Sequence, residues 1–417
     1  MAGGSFRHKS ISIESIQQRF TDKLMTNKKT IPITVLSGFL GAGKTTLLNH
    51  WLREASGKLK LAVIVNDLGA VNIDASLIKV QARDLQSPIG GMVELTSGCI
   101  CCSIQGELLD ALKTLAATAQ PDHILIEATG VAEPKSILQT LYGGADGADE
   151  QFHVHAMVTV IDAGAFARLT ETARSVTQPR KWLLQSDRRR PLPELLFEQV
   201  ECADLLVLNK SDLSSAATLQ QLAASLRDIN TRASCETTEQ GVLPLEWLTG
   251  HVLFDMDATL SAARWRREIV LHLETGSGNM GAIGGVVHPT RLHHSDYGLE
   301  TFLYAARRPF REAAFLKLMR QGFPGLLRAK GFFWTDARPD NVGLLSIAGD
   351  TLRADYLGRW WQVLIAQGEA QLSDLPDLVR NAWHPTVGDC RQELVFIGID
   401  LNRDELQSAL EGCLEES

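Results

Sequence analysis

Apolar and polar positions along the chain fall into two successive patterns. Residues 31–36 (IPITVL) form a short β-branched run, and 44–53 continue with apolar positions at helical spacing, which predicts strand, loop, helix. The unit recurs. Residues 61–66 (LAVIVN) read as a buried strand, and 105–118 as a helix leading into the strand of 123–130 (HILIEATG). Residues 157–163 (MVTVIDA) read as a strand, 192–203 (LPELLFEQVECA) as a helix, and 204–212 (DLLVLNKSD) as a strand with its turn. Apolar strands alternating with helices imply a doubly wound α/β fold, a mostly parallel sheet covered on both faces. The alternation fades near residue 260, and 273–285 (LETGSGNMGAIGG) is rich in Gly and Ser, as linkers are. Beyond it, 299–310, 310–319, 328–337, 341–350 and 391–399 read as strands mixed with one or two helices, and Asn402-x-x-Glu405 is a helix-opening capping pattern. The expected organisation is a polar leader over 1–30, a doubly wound domain over 31–262, a linker over 263–285, and a smaller α+β domain with an antiparallel sheet over 286–417.

Composition narrows the partners. The 417 residues are 45% hydrophobic and 22% charged, close to globular averages. A net charge of −8 offers no broad basic footprint for a phosphate backbone, so nucleic acid is not an expected partner. The first thirty residues lack the apolar core of a secretory signal and no stretch of about 18 apolar residues occurs, so no membrane partner is expected either and the expected compartment is the cytoplasm. There, seven cysteines argue against a disulfide framework. Cys202, Cys235, Cys390 and Cys413 stand alone and read as packing residues, but Cys99, Cys101 and Cys102 fall within four positions of ELTSGCICCS. Clustered thiols in a reducing compartment read as metal ligands, with a redox pair or simple core packing as the alternatives.

Between the first strand and helix lies Gly38-Phe39-Leu40-Gly41-Ala42-Gly43-Lys44-Thr45, which satisfies G-x-x-x-x-G-K-S/T. Such a loop turns successive N–H groups and a helix N-terminus toward a phosphate. Lys44 adds a cation, and Thr45 is a candidate Mg²⁺ ligand, with Thr46 beside it. The strand before and the helix after are the context the motif requires. Farther on, Asn209-Lys210-Ser211-Asp212 ends a strand. A carboxylate at Asp212 can accept from guanine N1–H and its 2-amino group, donors adenine lacks, while the Lys210 stem can lie along the ring. Alone, the tetrapeptide also fits an ordinary turn; some 165 residues behind a P-loop it points to GTP. Glu127, ending HILIE, stands where a P-loop enzyme keeps the acid that holds Mg²⁺ or its waters, and Gly130 can offer an amide to a γ-phosphate. Asp67, ending LAVIVND, is a second candidate for Mg²⁺ contact or water positioning. Both carboxylates could instead cap the turns that follow them. Asp162, at another strand end, reads as structural.

Taken together, GFLGAGKTTLLNH, VNDLGAVNIDA, ELTSGCICCS, IEATGVAEP, LNKSDL and GDCRQELVFIG resemble the CobW-type GTPases, P-loop metallochaperones and metal insertases, in motif order as well as content, from about residue 31 to the C-terminus. The resemblance implies GTP hydrolysis coupled to delivery of a transition metal to a client apo-metalloprotein. Zinc is the first expectation for the metal, with cobalt or iron in a nitrile hydratase activator branch as the alternative. It maps a C-x-C-C metal motif onto Cys99, Cys101 and Cys102. Three thiolates leave a fourth position open, which suits a carrier that releases its cargo. Because the cysteines fall in sequence between Asp67 and Glu127, the metal and hydrolysis sites are expected to share moving parts. Many relatives carry glutamates at or near the positions of Asp67 and Ala70, and some carry a histidine-rich tract that is missing here. The pairs His153/His155 and His293/His294 read as solvated or packed. In the C-terminal domain, Trp334, Trp360, Trp361 and Trp383 with Arg307, Arg308 and Arg391 are candidates for a client-docking surface or, equally, for the core. Two other functional classes stay open: a GTP-dependent metal sensor or store that delivers nothing, and a P-loop kinase or ATPase with a redox thiol cluster, against which Asp212 argues. Sequence alone leaves the oligomeric state open.

Overall fold

The structure is a computed structural model and describes residues 30–66, 91–95, 105–130, 134–142, 151–174, 180–183, 192–250, 252–255, 292–294, 299–376, 379–380 and 383–415. Eight strands fall in the first part of the described chain: β1 (Ile31–Ser37), β2 (Leu61–Asn66), β3 (Gly91–Leu95), β4 (His123–Glu127), β5 (Phe152–Asp162), β6 (Lys181–Leu183), β7 (Leu205–Asn209) and β8 (Ser234–Thr237). All but β6 run parallel in one sheet, in the order β3-β2-β4-β1-β5-β7-β8. Parallel neighbours need crossovers, and helices supply them: α1 (Lys44–Ala55), α2 (Gln105–Ala119), α3 (Pro134–Tyr142), α4 (Ala163–Arg174), α5 (Leu192–Glu201), α6 (Ala216–Ile229) and the single turn α7 (Glu246–Thr249).

Alternate residues of each strand serve opposite layers, so both faces are apolar and the strands read as unbroken hydrophobic runs. Val63 and Val65 pack with Leu47, Leu48, Trp51 and Leu52 of α1, whereas Ala62 and Ile64 pack with Leu108, Leu112 and Leu115 of α2 and Ile137 of α3. The strand expected over 157–163 begins five residues earlier, at Phe152. At the starts of the strands, His123 is buried with Nε2 2.8 Å from Thr34 Oγ1, its ring edge-on to His155 with centroids 5.3 Å apart. Burial, with the nearby His155 and His153, pushes the His123 imidazole down to about 3.

Strands β9 (Leu292–His294), β10 (Leu299–Ala306), β11 (Leu326–Phe333), β12 (Asn341–Ala348), β13 (Thr351–Arg359) and β14 (Gln392–Ile399) form a second sheet, ordered β6-β13-β12-β11-β14-β10-β9. Its neighbours are antiparallel except β6, which adds parallel to β13, so the stretch 31–262 lends an edge strand to the other sheet. Arg180, 1% exposed, anchors that strand by donating from Nε to Gly349 O (3.2 Å) and from Nη2 to Leu326 O (3.4 Å). On the outer face, Phe302, Tyr304, Phe396 and Leu345 pack with α8 (Glu312–Gln321) and α10 (Arg403–Glu411) through Phe315, Met319, Leu406 and Leu410; α9 (Trp361–Ala366) lies between them in sequence. Asn402 caps α10 as its spacing predicts, accepting from Glu405 N at 3.2 Å.

The two sheets share one core. Phe166 of α4, Phe197 and Val200 of α5, and Leu222, Leu226 and Ile229 of α6 pack on Ile161, Leu206 and Leu208 of the first sheet and on Leu303, Leu327, Val395 and Ile397 of the second. Within this seam, Arg328 Nε donates to Glu201 Oε1 at 3.1 Å and Nη1 to Ser346 Oγ at 3.1 Å; Ser346 Oγ in turn donates to Glu194 Oε1 at 3.0 Å.

Candidate functional site: the C-terminal edge of the parallel sheet

In a parallel sheet every strand ends at the same edge, and the loops leaving those ends converge there. The loop after β1 folds as a phosphate cradle. Gly38, Gly41 and Gly43 all hold positive φ, at 130°, 75° and 108°. At Gly43 this is obligatory twice over: a left-handed residue favours glycine, and a Cβ would sit 2.2 Å from Asn209 Nδ2. Gly43 caps α1 without a side chain and no acidic residue occupies the first turn, so the opening N–H groups of the helix suit an anion. Lys44 is buried and donates from Nζ to Phe39 O at 3.2 Å, which lays its ammonium over the loop. Ala42 is buried, while Gly41 and Thr46 are exposed at the rim.

Thr45 Oγ1 donates to Glu127 Oε1 at 2.6 Å. The contact exists because Leu36 of β1 lies in register with Glu127 of β4, so the first turn of α1 rises beside the end of β4. Glu127 is 3% exposed, and a hydroxyl beside a buried carboxylate is the hard oxygen set that Mg²⁺ takes. Three residues on, buried Gly130 presses against the P-loop: a Cβ there would lie 2.5 Å from Leu40 N. Residues 82 apart in sequence, Thr45 and Glu127, thus meet in one cluster with Lys44 and Gly130.

The loop after β7 closes the other end. Asn209 Nδ2 donates to Ala42 O at 2.8 Å, and its Oδ1 accepts from Gly241 N at 3.0 Å, so this side chain bolts the P-loop to the loop that follows β8. Lys210 is left-handed, with φ 59°, and donates from Nζ to Asp162 Oδ2 at 2.6 Å. Burial pushes the Asp162 carboxyl up, but hydrogen bonds from Lys210 and Ala165 N–H, with the charges of Lys210 and Arg168, outweigh it and hold the group below its ordinary value. Asp162 therefore orients Lys210 as well as capping α4. Asp212 sits exposed in the short turn Ser211–Leu213, where its carboxylate is accessible. Beside the P-loop a cavity of about 350 Å³ runs along Phe39, Leu40 and Gly41 to Phe166, Leu196 and Lys210.

Asp67, Cys99, Cys101 and Cys102 lie outside the described residues. Among the described residues no group of three or more His, Cys, Asp or Glu could hold a metal ion, and no helix is long and apolar enough to cross a membrane. Two docking candidates need correction: Trp360, 2% exposed, and Arg307, 4% exposed, belong to the core, the latter donating to Gly388 O and Cys390 O. Trp334, Trp361, Trp383, Arg308 and Arg391 are half-buried. Sequence reasoning missed the loop at 238–241 and the part played by Asp162; for Asp162 the available signal was a carboxylate ending an apolar strand on the same sheet edge as the P-loop, whereas the short polar strand SCET before the loop at 238–241 offered none.

A glycine cradle, an uncapped helix start, a Thr–Glu pair and an Asn-Lys-x-Asp turn on one edge of a parallel sheet define a P-loop GTPase. Residues 32–236 match the CobW/HypB/UreG nucleotide-binding domain, and residues 299–414 match the cobalamin synthesis protein cobW C-terminal domain. The chain is 33% identical over 398 residues to zinc-regulated GTPase metalloprotein activator 1 of Dictyostelium discoideum, covering 92% of this chain and 80% of that one. It is 27% identical over 389 residues to the zinc chaperone YjiA of Escherichia coli, covering 92% and 98% respectively. The crystal structure of Zn(II)-bound YjiA GTPase aligns at 22% identity over 93% of this chain and 100% of that one, with a TM-score of 0.39. The chain belongs to the CobW family of P-loop GTPases.

Proposed function

We propose that this GTPase is a cytoplasmic metallochaperone that binds a transition metal, zinc foremost, through Cys99, Cys101 and Cys102 and delivers it to a client apo-metalloprotein under control of GTP hydrolysis. Residues 31–262 act as the nucleotide unit and 286–417 as the client-facing unit. The P-loop from Gly38 to Thr46 holds the phosphates, with Lys44 as the cation. Asn209 and Lys210 frame the base and Asp212 selects guanine. Thr45 and Glu127 would hold Mg²⁺, which supplies charge neutralisation on the phosphates. Glu127, Gly130 and Asp67 would serve the transferred phosphoryl group.

One observation carries most of this: the strand end that leads into the cysteines belongs to the nucleotide edge. Leu95 ends β3 in register with Asn66, and Val65 is in register with Glu127, so the end of β3 is two strand spacings, about 10 Å, from Glu127. Cys99 follows Leu95 by four residues, a reach of at most about 14 Å. The names of the two relatives, a zinc-regulated GTPase metalloprotein activator and a zinc chaperone, support zinc as the cargo. Protein purified under reducing conditions should carry about one zinc, lost when the three cysteines become serine. Chelator competition should show tighter zinc binding with a non-hydrolysable GTP analogue than with GDP. Equal affinity in the two nucleotide states removes the coupling.

A further inference from the structure

Gln199 lies on α5, outside every sequence motif, and is fully buried between Phe197 and Val200, which serve the apolar seam. A buried primary amide costs stability unless it is hydrogen-bonded, and a Met or Leu would fill the same space, so its polarity calls for a reason. Its Nε2 donates to the carbonyl oxygen of Gly130, 69 residues earlier, at 3.3 Å. Its backbone carbonyl, among the last four of the helix, is turned to the same purpose. Ala203 N–H passes it by for Val200 O, and Thr159 Oγ1 of β5 donates to Gln199 O at 2.8 Å. Thr159 has one hydroxyl proton, now committed, so in its 2.8 Å contact with Ser37 Oγ it must accept and Ser37 must donate.

A single buried chain of hydrogen bonds therefore runs Ser37 to Thr159 to Gln199 to Gly130. Ser37 is the residue immediately before the P-loop, and Gly130 is the glycine pressed against Leu40 within it. The loop that meets the nucleotide and the loop after β4 are fastened to the same residue, the first through its backbone carbonyl and the second through its side-chain amide. We propose that Gln199 is a positioning residue that fixes Gly130 against the P-loop and thereby sets the preference of the site for a nucleoside triphosphate over a diphosphate. It rests on the role given to Gly130 above, an amide donor to the γ-phosphate. A diphosphate is held by the P-loop alone and does not need Gly130, so displacing Gly130 weakens only the triphosphate complex.

The test compares GDP with a non-hydrolysable GTP analogue on the full chain, by titration of Gln199→Met, which keeps the volume and removes the donor. GDP affinity should stay within about twofold, analogue affinity should fall about tenfold, the worth of one buried hydrogen bond, and kcat should fall with it. Thr159→Val and Thr159→Ser form a second pair with the same readout: the valine, which removes the hydroxyl, should lower the analogue-to-GDP preference about threefold, and the serine, which keeps it, should not. This pair decides the matter if Gln199→Met fails to fold. A purely structural glutamine would shift both nucleotides by the same factor along with the unfolding midpoint. That result, or indistinguishable valine and serine variants, overturns the assignment while leaving a guanine-specific GTPase intact. A wild-type chain that binds ATP as well as GTP would instead overturn the proposed function itself.

Discussion

The two sheets have seven strands each among the described residues, yet only one gathers a candidate site. In the first, parallel pairing sends β1, β4, β5, β7 and β8 out at one edge. Five loops therefore meet there: Thr45 bonds Glu127, Asn209 bonds Ala42 and Gly241, Lys210 bonds Asp162, and Gly130 presses on Leu40. In the second, successive antiparallel strands end at alternate edges, so no comparable set of loops can converge; one face packs on α4, α5 and α6, and the other on α8 and α10. Chemistry follows the direction of the strands more than the residue composition. The layer between them, α5 above all, is where the sheets meet, through Glu201 and Glu194 toward the second sheet and Gln199 toward the first.

If the second sheet is held by that seam, the largest effect should come from breaking its buried ion pair. Arg328→Met leaves the Glu201 carboxylate without its guanidinium at a site where both are at most 3% exposed, at a cost of about 3–5 kcal/mol in denaturant unfolding. Replacing Glu201 by Leu in the same chain should recover most of it; a double variant as unstable as the single one would mean that packing, not charge, sets the seam. Next, Lys44→Ala should leave the unfolding midpoint nearly unchanged while hydrolysis falls about 10²–10³-fold in a phosphate-release assay. A comparable loss of stability would erase the functional contrast between the sheets. Asp212→Asn should cut the preference for GTP over other nucleoside triphosphates by about 10- to 100-fold in competition binding, because the paired acceptors for the guanine edge are gone.

The smallest effect concerns the opposite edge of the parallel sheet, at the start of β4. His123, with a folded-state pKa of about 3 against 6.5 unfolded, stays neutral in the fold while the unfolded chain takes up a proton. Its contribution is complete above pH 6.5 and declines as pH falls toward 3. His123→Gln should therefore reduce the stability lost between about pH 7.5 and 5.5 by about 1.4 kcal/mol, read from unfolding midpoints at the two pH values, with nucleotide affinity unchanged.

Much of the parallel sheet was legible because a strand covered on both faces must be apolar throughout. The runs at 31–36 and 61–66 match β1 and β2 within a residue, and the helix expected over 105–118 is α2. Strands β3, β8 and β13 escaped: GMVEL and SCET are short, and TLRADYLGR carries charges on an alternating pattern too weak to stand out. The edge strand β6 could not be read at all, since three residues acquire strand geometry only by pairing with Thr351–Arg353 far along the chain.

What the sequence determined by itself is local in origin: the glycines that permit the left-handed turns of the P-loop, the helix that begins at Lys44, and the run of motifs that identifies a guanine nucleotide enzyme. Those depend on backbone conformation and on residues a few positions apart. The tertiary structure alone decided which distant groups meet: Thr45 with Glu127, Asn209 with Ala42, Lys210 with Asp162, Gln199 with Gly130, and Arg328 with Glu201. Strand register and helix packing set those distances, and neither is written in any single stretch of the chain.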